Sequence, residues 1–410
     1  MLPANDLGLP TRLVPVARAL ADRGHEVAVF NPALAPAKLI EHAGLKNLPV
    51  PARPMPNPVM DLALVGSAWD VEEILACLYG NEDYVRAATA VHVDLVRDYA
   101  PDVVVDSFGL FACLAARVLG VPLATINQAS FHPASDGFLW WAGERPAGLP
   151  SAVPACNRVL AEYGMAPVDR CSDLLAGDLS LIVGTPETDP VSPAANVTHV
   201  GPIVWQRDSA SLPEWVDALS HGQPLVWVYP GNPRYAGAAA STPIDSIVVI
   251  RAAIEALGKK EVQVVLSSGF QQVPAEIGQL PSNFHHATYL PGPAMAERCD
   301  LMLHHGGHSS VMTGLAAGTP AVMIPTITER VCNARRLAAL GAGEVVMPAT
   351  GADGEKRIDM RDFCTKIQRV LCEPSYRNAA CRVAESMRQY GGAAQAADRI
   401  EEFAGSCGGR

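Results

Sequence analysis

A chain of 410 residues is too long for a single hydrophobic core and suits two domains of about 200 residues each. At 49% hydrophobic and 18% charged residues it has a globular composition, and no apolar run reaches the roughly 20 residues of a membrane span. The net charge of −11 argues against a nucleic-acid partner, because phosphate backbones are held by basic patches.

Met1-Leu2-Pro3 has neither a basic nor an apolar leader character. It is also too short for the full strand expected before Asn5-Asp6-Leu7-Gly8; that strand is either a stub or starts outside this chain. Apolar, β-rich runs at 27–30, 103–106, 123–127 and 181–183 read as strands of a first half. A polar stretch punctuated by proline, Gln206-Arg207-Asp208-Ser209-Ala210-Ser211-Leu212-Pro213, reads as a linker. Runs at 225–229, 262–266, 301–303 and 321–324 supply strands of a second half, and 394–403 reads as a last helix. Strands alternating with helical patterns imply parallel, doubly wound sheets. The expected division is a first domain at 1–205, a linker at 206–222, a second domain at 223–385 and a C-terminal segment at 386–410. Ten cysteines scattered from Cys77 to Cys407 have no Cys-x-x-Cys spacing, so they read as small core residues in a reducing cytoplasm rather than as metal ligands or bridges.

The densest chemistry lies at His304-His305-Gly306-Gly307-His308-Ser309-Ser310. It follows a buried strand, and a helix is expected over 309–317 with Ser309 as its N-cap. A strand, two glycines and a helix N-terminus form a socket for an anion: the glycines admit close backbone N–H groups, and the helix dipole favours negative charge. The flanking histidines and serines add donors, which suits a diphosphate. An ordinary βα turn is the alternative.

That string resembles the donor-site signature of the family-one, nucleotide-sugar-dependent glycosyltransferases, which runs His-Gly-Gly-x-x-Ser/Thr, a helix, Gly-x-Pro, a strand, Pro and Asn-Ala. The matching residues are His305-Gly306-Gly307, Ser310, Gly318, Pro320, Pro325 and Asn333-Ala334, followed by Leu340-Gly341-Ala342-Gly343. The stretch from Pro15 to Val27 is similar to the family's first helix and second strand, and Pro101-Asp102 to Val121-Pro122 to another βα unit. The resemblance implies the α/β GT-B fold, two doubly wound Rossmann-like domains facing across a cleft, with the last helix crossing back to the first domain. It also implies a cytoplasmic enzyme that moves a sugar from a dTDP or UDP donor to a small natural-product acceptor by inverting displacement. The nucleoside diphosphate sugar is then a co-substrate; no cofactor, metal, nucleic acid or membrane is implied, and a homodimer is compatible with the sequence.

On this resemblance His305 and the N–H groups from Gly307 to Ser310 hold the diphosphate, helped by the Ser309 and Ser310 hydroxyls, with His308 as a wall. Tyr289 stands where an aromatic stacks on the base; a core aromatic is the alternative. Thr313 occupies a position where relatives with uridine donors carry a ribose-binding Glu, which favours dTDP over UDP. Glu329-Arg330 replaces the family's sugar-reading Asp-Gln pair, so a carboxylate is kept while the amide becomes a guanidinium. Arg330 could pair with Glu329, contact phosphate or meet an anionic group on the sugar, with solvated surface charge as the structural alternative, and a deoxysugar is favoured. Asn232, after the strand at 225–229, could contact phosphate or bridge to the acceptor; a plain turn explains Pro230-Gly231-Asn232 equally well.

The base is the point of departure. Leu9 stands where the family has its catalytic His, and a leucine cannot move a proton. Asp106, which matches the family's His-orienting Asp, and Asp6 in the first loop are the candidates. In the usual strand order both would reach one crevice. A helix cap for Asp106 and a turn for Asp6 are the structural alternatives. His132 could supply an imidazole from another loop, and Phe131, Phe138, Trp140 and Trp141 suit either an apolar acceptor or core packing. Loss of the usual His also admits a catalytically silent nucleotide-sugar-binding subunit of a partner enzyme. A nucleotide-sugar 2-epimerase on the same fold is a weaker third reading.

Overall fold

The computed structural model describes residues 8–31, 33–49, 53, 56, 61–206, 211–219, 222–231, 233, 242, 244–269 and 271–407. The chain divides into two compact units, Met1–Ile203 with Tyr390–Arg410 and Val204–Gln389.

In the first unit, β1 (Ala28–Val29) and β2 (Lys46–Asn47) form a short parallel pair. A second parallel sheet runs β3 (Val104–Asp106), β4 (Leu123–Asn127), β5 (Leu179–Val183) and β6 (Thr198–Gly201), in that spatial order. All five residues of β4 are buried, as expected of a parallel strand covered on both faces. The helix Pro10–Asp22 starts with a proline at its first position, where the missing N–H costs nothing. Its Val16 and Leu20 share one core with Ala124, Ile126, Leu181 and Ile400, so the last helix, Ala393–Cys407, packs on this unit. Ion pairs from Arg23 to Asp398 and from Arg23 and His25 to Glu401 tie the same two helices at the surface. A cavity of about 470 Å3 separates the β1 edge, lined by Val27 and Val29, from the β3 edge, lined by Val103 and Val105.

The second unit holds six parallel strands: β7 (Leu225–Tyr229), β8 (Gln263–Ser267), β9 (Phe284–Ala287), β10 (Leu301–His304), β11 (Ala321–Met323) and β12 (Gly343–Val345). Their order, β9-β8-β7-β10-β11-β12, is the doubly wound order in which the chain reverses direction between its first and fourth strands. The switch point therefore lies between β7 and β10, and the loops leaving their carboxyl ends are where such a sheet binds ligands. Apolar side chains from both sheet faces make the core, with Val226, Val228, Leu301 and Leu303 on one side and Trp227, Met302, Met312 and Leu315 on the other.

Six strands were not foreseen: β2, β6, β9, β12 and the antiparallel pair Ala349–Thr350 and Lys356–Arg357 lie at sheet edges or in two-stranded pairs, are short and partly exposed, and carry no apolar run. All ten cysteines are free thiols, but Cys364, Cys372 and Cys381 are exposed and Cys407 is half-buried, so core filling accounts for only six. Among the described residues, no helix is long and apolar enough to cross a membrane.

Candidate functional site

The loop after β10 is built around two glycines. Gly306 has φ +82°, and a Cβ there would come within 2.8 Å of the Arg330 carbonyl oxygen, so only glycine fits. A Cβ on Gly307 would come within 2.5 Å of the His305 Nε2. The helix that follows runs His308–Ala317 and is capped by Gly307, without a side-chain cap bond. Ser309 is thus the second helical residue rather than the N-cap, because the glycine already supplies the extended backbone a cap needs. The amides of His308, Ser309 and Ser310 precede the first in-helix bond, Val311 N–H to Gly307 O at 3.1 Å, and point out of the helix end.

His305 is buried beside these amides. Burial, then the Arg330 and His304 charges, hold its pKa well below the usual imidazole value, so it is neutral at physiological pH. Its Nδ1 is buried with no hydrogen-bond partner among the described residues. The loop leaving β7 meets it, since a Cβ on Gly231 would lie 2.6 Å from His305 Cε1. Tyr229 at the end of β7 presents its ring 6.3 Å from the imidazole. Asn232, the expected contact in that loop, lies outside the described residues.

The other donor-side candidates gather around the same loop. Asn333 donates to Gly306 O at 3.1 Å and to Glu329 Oε1 at 2.7 Å, fixing the carboxylate next to the glycine turn. Arg330 donates to Ile244 O at 2.7 Å and Thr326 Oγ1 at 2.6 Å. Thr313 spends its hydroxyl on Ser309 O at 2.8 Å and turns its methyl toward Gly292, where a Cβ would lie 3.5 Å away. Tyr289 is half-buried and meets Trp205 edge-to-face at 5.9 Å. Trp205 was missed by the sequence reading; a lone tryptophan beside the linker was the available signal. His308 is buried as the first helical residue.

In the first unit, Asp106 ends β3 and is buried. Its Oδ2 accepts the Gly109 N–H at 2.6 Å and faces the Cys113 thiol at 3.6 Å. Gly109, not Asp106, is the cap of the Leu110–Leu119 helix, so the carboxylate closes the loop before the helix instead of capping it. Burial raises its pKa against the opposing pull of Gly109 N–H and Cys113. Ser107 Oγ is buried without a partner among the described residues. Phe108 has φ +60°, a left-handed conformation rare for a bulky side chain, and its ring stacks on Phe131 at 4.3 Å. Leu9, at the cap of the Pro10–Asp22 helix, lines the same cavity as Asp106 and Ser107. Asp6 lies outside the described residues.

His132 is a poor replacement for the missing imidazole. It is buried, burial lowers its pKa, and Nδ1 accepts the Ala134 N–H at 3.2 Å. A neutral ring then carries its proton on Nε2 and offers no free lone pair. Of the clustered aromatics, Phe131 and Phe138 belong to the core, whereas Trp140 is 40% exposed and packs edge-to-face on Trp141 at 5.3 Å. That loop is held from behind: Phe138 N–H donates to Trp69 O at 3.0 Å, and Arg145 pairs with Asp70 and Glu73.

Comparison with known proteins places this geometry in context. Residues 251–403 match the family model described as erythromycin biosynthesis protein CIII-like, C-terminal domain. A PGL/p-HBAD biosynthesis glycosyltransferase of Mycobacterium tuberculosis (strain ATCC 25177 / H37Ra) is 25% identical over 330 residues, covering 75% of this chain and 72% of that protein. Among solved structures, the calicheamicin glycosyltransferase CalG4 superposes with a TM-score of 0.70 at 22% identity, covering 96% of this chain and 94% of that one. The Streptomyces sp. SF2575 glycosyltransferase SsfS6, solved with thymidine diphosphate, gives 0.66 at 23% identity over 95% of each chain. These structural likenesses show the fold.

Proposed function

Since this chain belongs to the family-one glycosyltransferases of the GT-B fold, we propose that it moves a hexose-type unit, a deoxysugar by preference, from a nucleoside diphosphate sugar to a small natural-product acceptor. The reaction is a single inverting displacement without metal. The observation that carries the reading is the Gly306-Gly307 turn at the switch point of the second sheet, with the His308, Ser309 and Ser310 amides beside a buried neutral His305. Diphosphate oxygens take those amides, and the helix dipole offsets the charge that develops on the leaving group. Tyr289 with Trp205 receives the base, and Glu329, held by Asn333, accepts sugar hydroxyls. Asp106 takes the acceptor proton as the hydroxyl attacks the anomeric carbon, while the diphosphate departs from the opposite face.

Thr313 favours a thymidine donor, because its hydroxyl is committed to Ser309 O and leaves a methyl in place of a 2′-hydroxyl acceptor. The thymidine diphosphate in the SsfS6 structure accords with this. A cytoplasmic site of action, as monomer or homodimer, belongs to the same reading and accords with ten free thiols. Calorimetry of the purified protein with dTDP and UDP, followed by turnover of dTDP- and UDP-sugars read by product mass, tests it. Heat with dTDP exceeding that with UDP is expected; no binding of either sinks the donor assignment, and a UDP preference sinks the Thr313 argument. Leu9 favours one second reading, a silent sugar-nucleotide-binding subunit of a partner transferase. Binding of nucleotide without transfer or donor hydrolysis by the protein alone would select it.

A further inference from the structure

We infer that Ser107 is a second catalytic residue of the first unit, its hydroxyl donating to the oxygen of the acceptor hydroxyl whose proton Asp106 takes; the inference rests on the assignment of Asp106 as base above. Ser107 directly follows β3, at the carboxyl end of a parallel strand, the end at which open α/β sheets bind ligands. It is 5% exposed, lines the cavity shared by Asp106 and Leu9, and its Oγ has no hydrogen-bond partner among the described residues. A buried hydroxyl left unpaired destabilises the free protein, so one that lines a cavity is a binding group for a polar atom that enters. The loop around it is tightly specified. Gly109 N–H donates to Asp106 Oδ2 at 2.6 Å, the Ser107 N–H also draws the carboxylate, and a Cβ on Gly109 would run into Asp106 Oδ1. Phe108, between the serine and that glycine, is held at φ +60° with its ring stacked on Phe131. A left-handed phenylalanine persists only where its surroundings over-determine it, and here the strain sets Ser107 in a fixed relation to the base.

The chemistry of the attack gives the serine its task. An acceptor hydroxyl oxygen carries one proton and two lone pairs. A carboxylate alone holds that hydroxyl through its proton and lets it swing about the bond. With the proton directed at Asp106 and one lone pair taken by the Ser107 O–H, the second lone pair is fixed in direction and forms the bond to the anomeric carbon. The acceptor proton passes to the Asp106 carboxylate, Ser107 keeps its own, and the bond from the anomeric carbon to the diphosphate oxygen breaks with its electron pair leaving on the diphosphate. Leu9, Phe108 and Ala112 line the same cavity, so the acceptor class that fits is apolar next to its reactive hydroxyl.

The test compares wild type, Ser107→Ala and Asp106→Asn in the full chain, with 4-methylumbelliferone and 2-phenylethanol as acceptors, each beside its thiol analogue. Sulfur is a weak hydrogen-bond acceptor, so a thiol gains little from the serine. Ser107→Ala is expected to lower kcat/KM about three- to tenfold for the hydroxyl acceptors, the worth of one neutral hydrogen bond, and to leave the thiols within about twofold. Its melting temperature without ligand should equal or exceed that of wild type, because the variant removes an unpaired buried hydroxyl. Equal losses for oxygen and sulfur acceptors would mark a distorted loop and overturn the inference. So would an unchanged kcat/KM for the hydroxyl acceptors, or a melting temperature several degrees lower, which would show that the hydroxyl has a structural partner. Full turnover by Asp106→Asn, or no sugar transfer to any of the four acceptors by wild type, overturns the base assignment itself and the inference with it, which separates the two failures.

Discussion

Asp106→Asn separates chemistry from architecture at the one position where the two coincide. The carboxylate accepts the Gly109 N–H at 2.6 Å, and an asparagine oxygen can make the same bond, so the loop holding Phe108 at φ +60° keeps its closure. On the proposed mechanism, what the variant loses is the proton acceptor. General-base removal costs about 10²–10⁴-fold in kcat. Stability should move little, because burial already disfavours the charged form and a neutral amide avoids that penalty. Asp106→Ala is the contrasting variant: it strands a buried N–H and should cost about 1–3 kcal/mol in addition to activity. The pH profile gives a second readout. Burial raises the Asp106 pKa above its ordinary 3.8, and a protonated carboxyl cannot accept a proton. Turnover should therefore fall on the acid side at a pH higher than an ordinary aspartate would give, and that limb should vanish in the residual activity of Asp106→Asn. The assay is product formation by mass spectrometry across pH, with thermal melts alongside. Turnover of Asp106→Asn within about threefold of wild type, or a loss explained by melting, refutes the assignment.

Gly306→Ala forces a side chain into a left-handed position 2.8 Å from the Arg330 carbonyl and should weaken dTDP binding by at least about tenfold; unchanged calorimetric affinity would count against the anion loop. Trp205→Leu removes the edge-to-face partner of Tyr289, worth about 0.5–1.5 kcal/mol, and should weaken dTDP and thymidine by a similar factor; a loss confined to dTDP would contradict a role at the base. His92 in the first unit and His304 in the second have pKa values lowered by burial to about 3 from 6.5, so below pH 6.5 the unfolded chain binds more protons than the folded one. Stability should fall with pH from 6.5 downward by about 1.4 kcal/mol per pH unit for each such histidine, with His92→Gln removing the first unit's share; melting temperatures flat between pH 7 and 5 would refute this.

The parallel strands that carry the site could be read from the sequence because both their faces are covered. Leu225–Tyr229 is a continuous apolar run for that reason, and Leu123–Asn127, apolar but for Thr125 and Asn127, is buried along its whole length. Edge strands such as Phe284–Ala287 need no such run, and their backbone pairing leaves no trace in a list of side chains. The glycine turn was legible since backbone conformation and close approach restrict Gly306 to one residue type. Ser309 was misplaced by two positions because serine and glycine both cap helices, and only the observed dihedral angles of Gly307 distinguish them.

With Asp106 as the proposed base, Leu9 changes what that carboxylate must do. An imidazole base works near neutral pH without help, whereas an exposed carboxylate is too weak a base for a hydroxyl proton. Asp106 is neither exposed nor ordinary: it is buried at the end of β3, its pKa is raised, and it lines a cavity with Leu9 as another wall. An aliphatic side chain at that wall keeps water off the carboxylate, as the polar histidine would not, and desolvation is what makes the carboxylate basic. Restoring the imidazole by Leu9→His should on this logic lower rather than rescue activity in the Asp106 protein, because a polar, protonatable neighbour returns the Asp106 pKa toward its ordinary range. Higher turnover in Leu9→His than in wild type would show that the imidazole, and not the buried acid, was the group this site lacked.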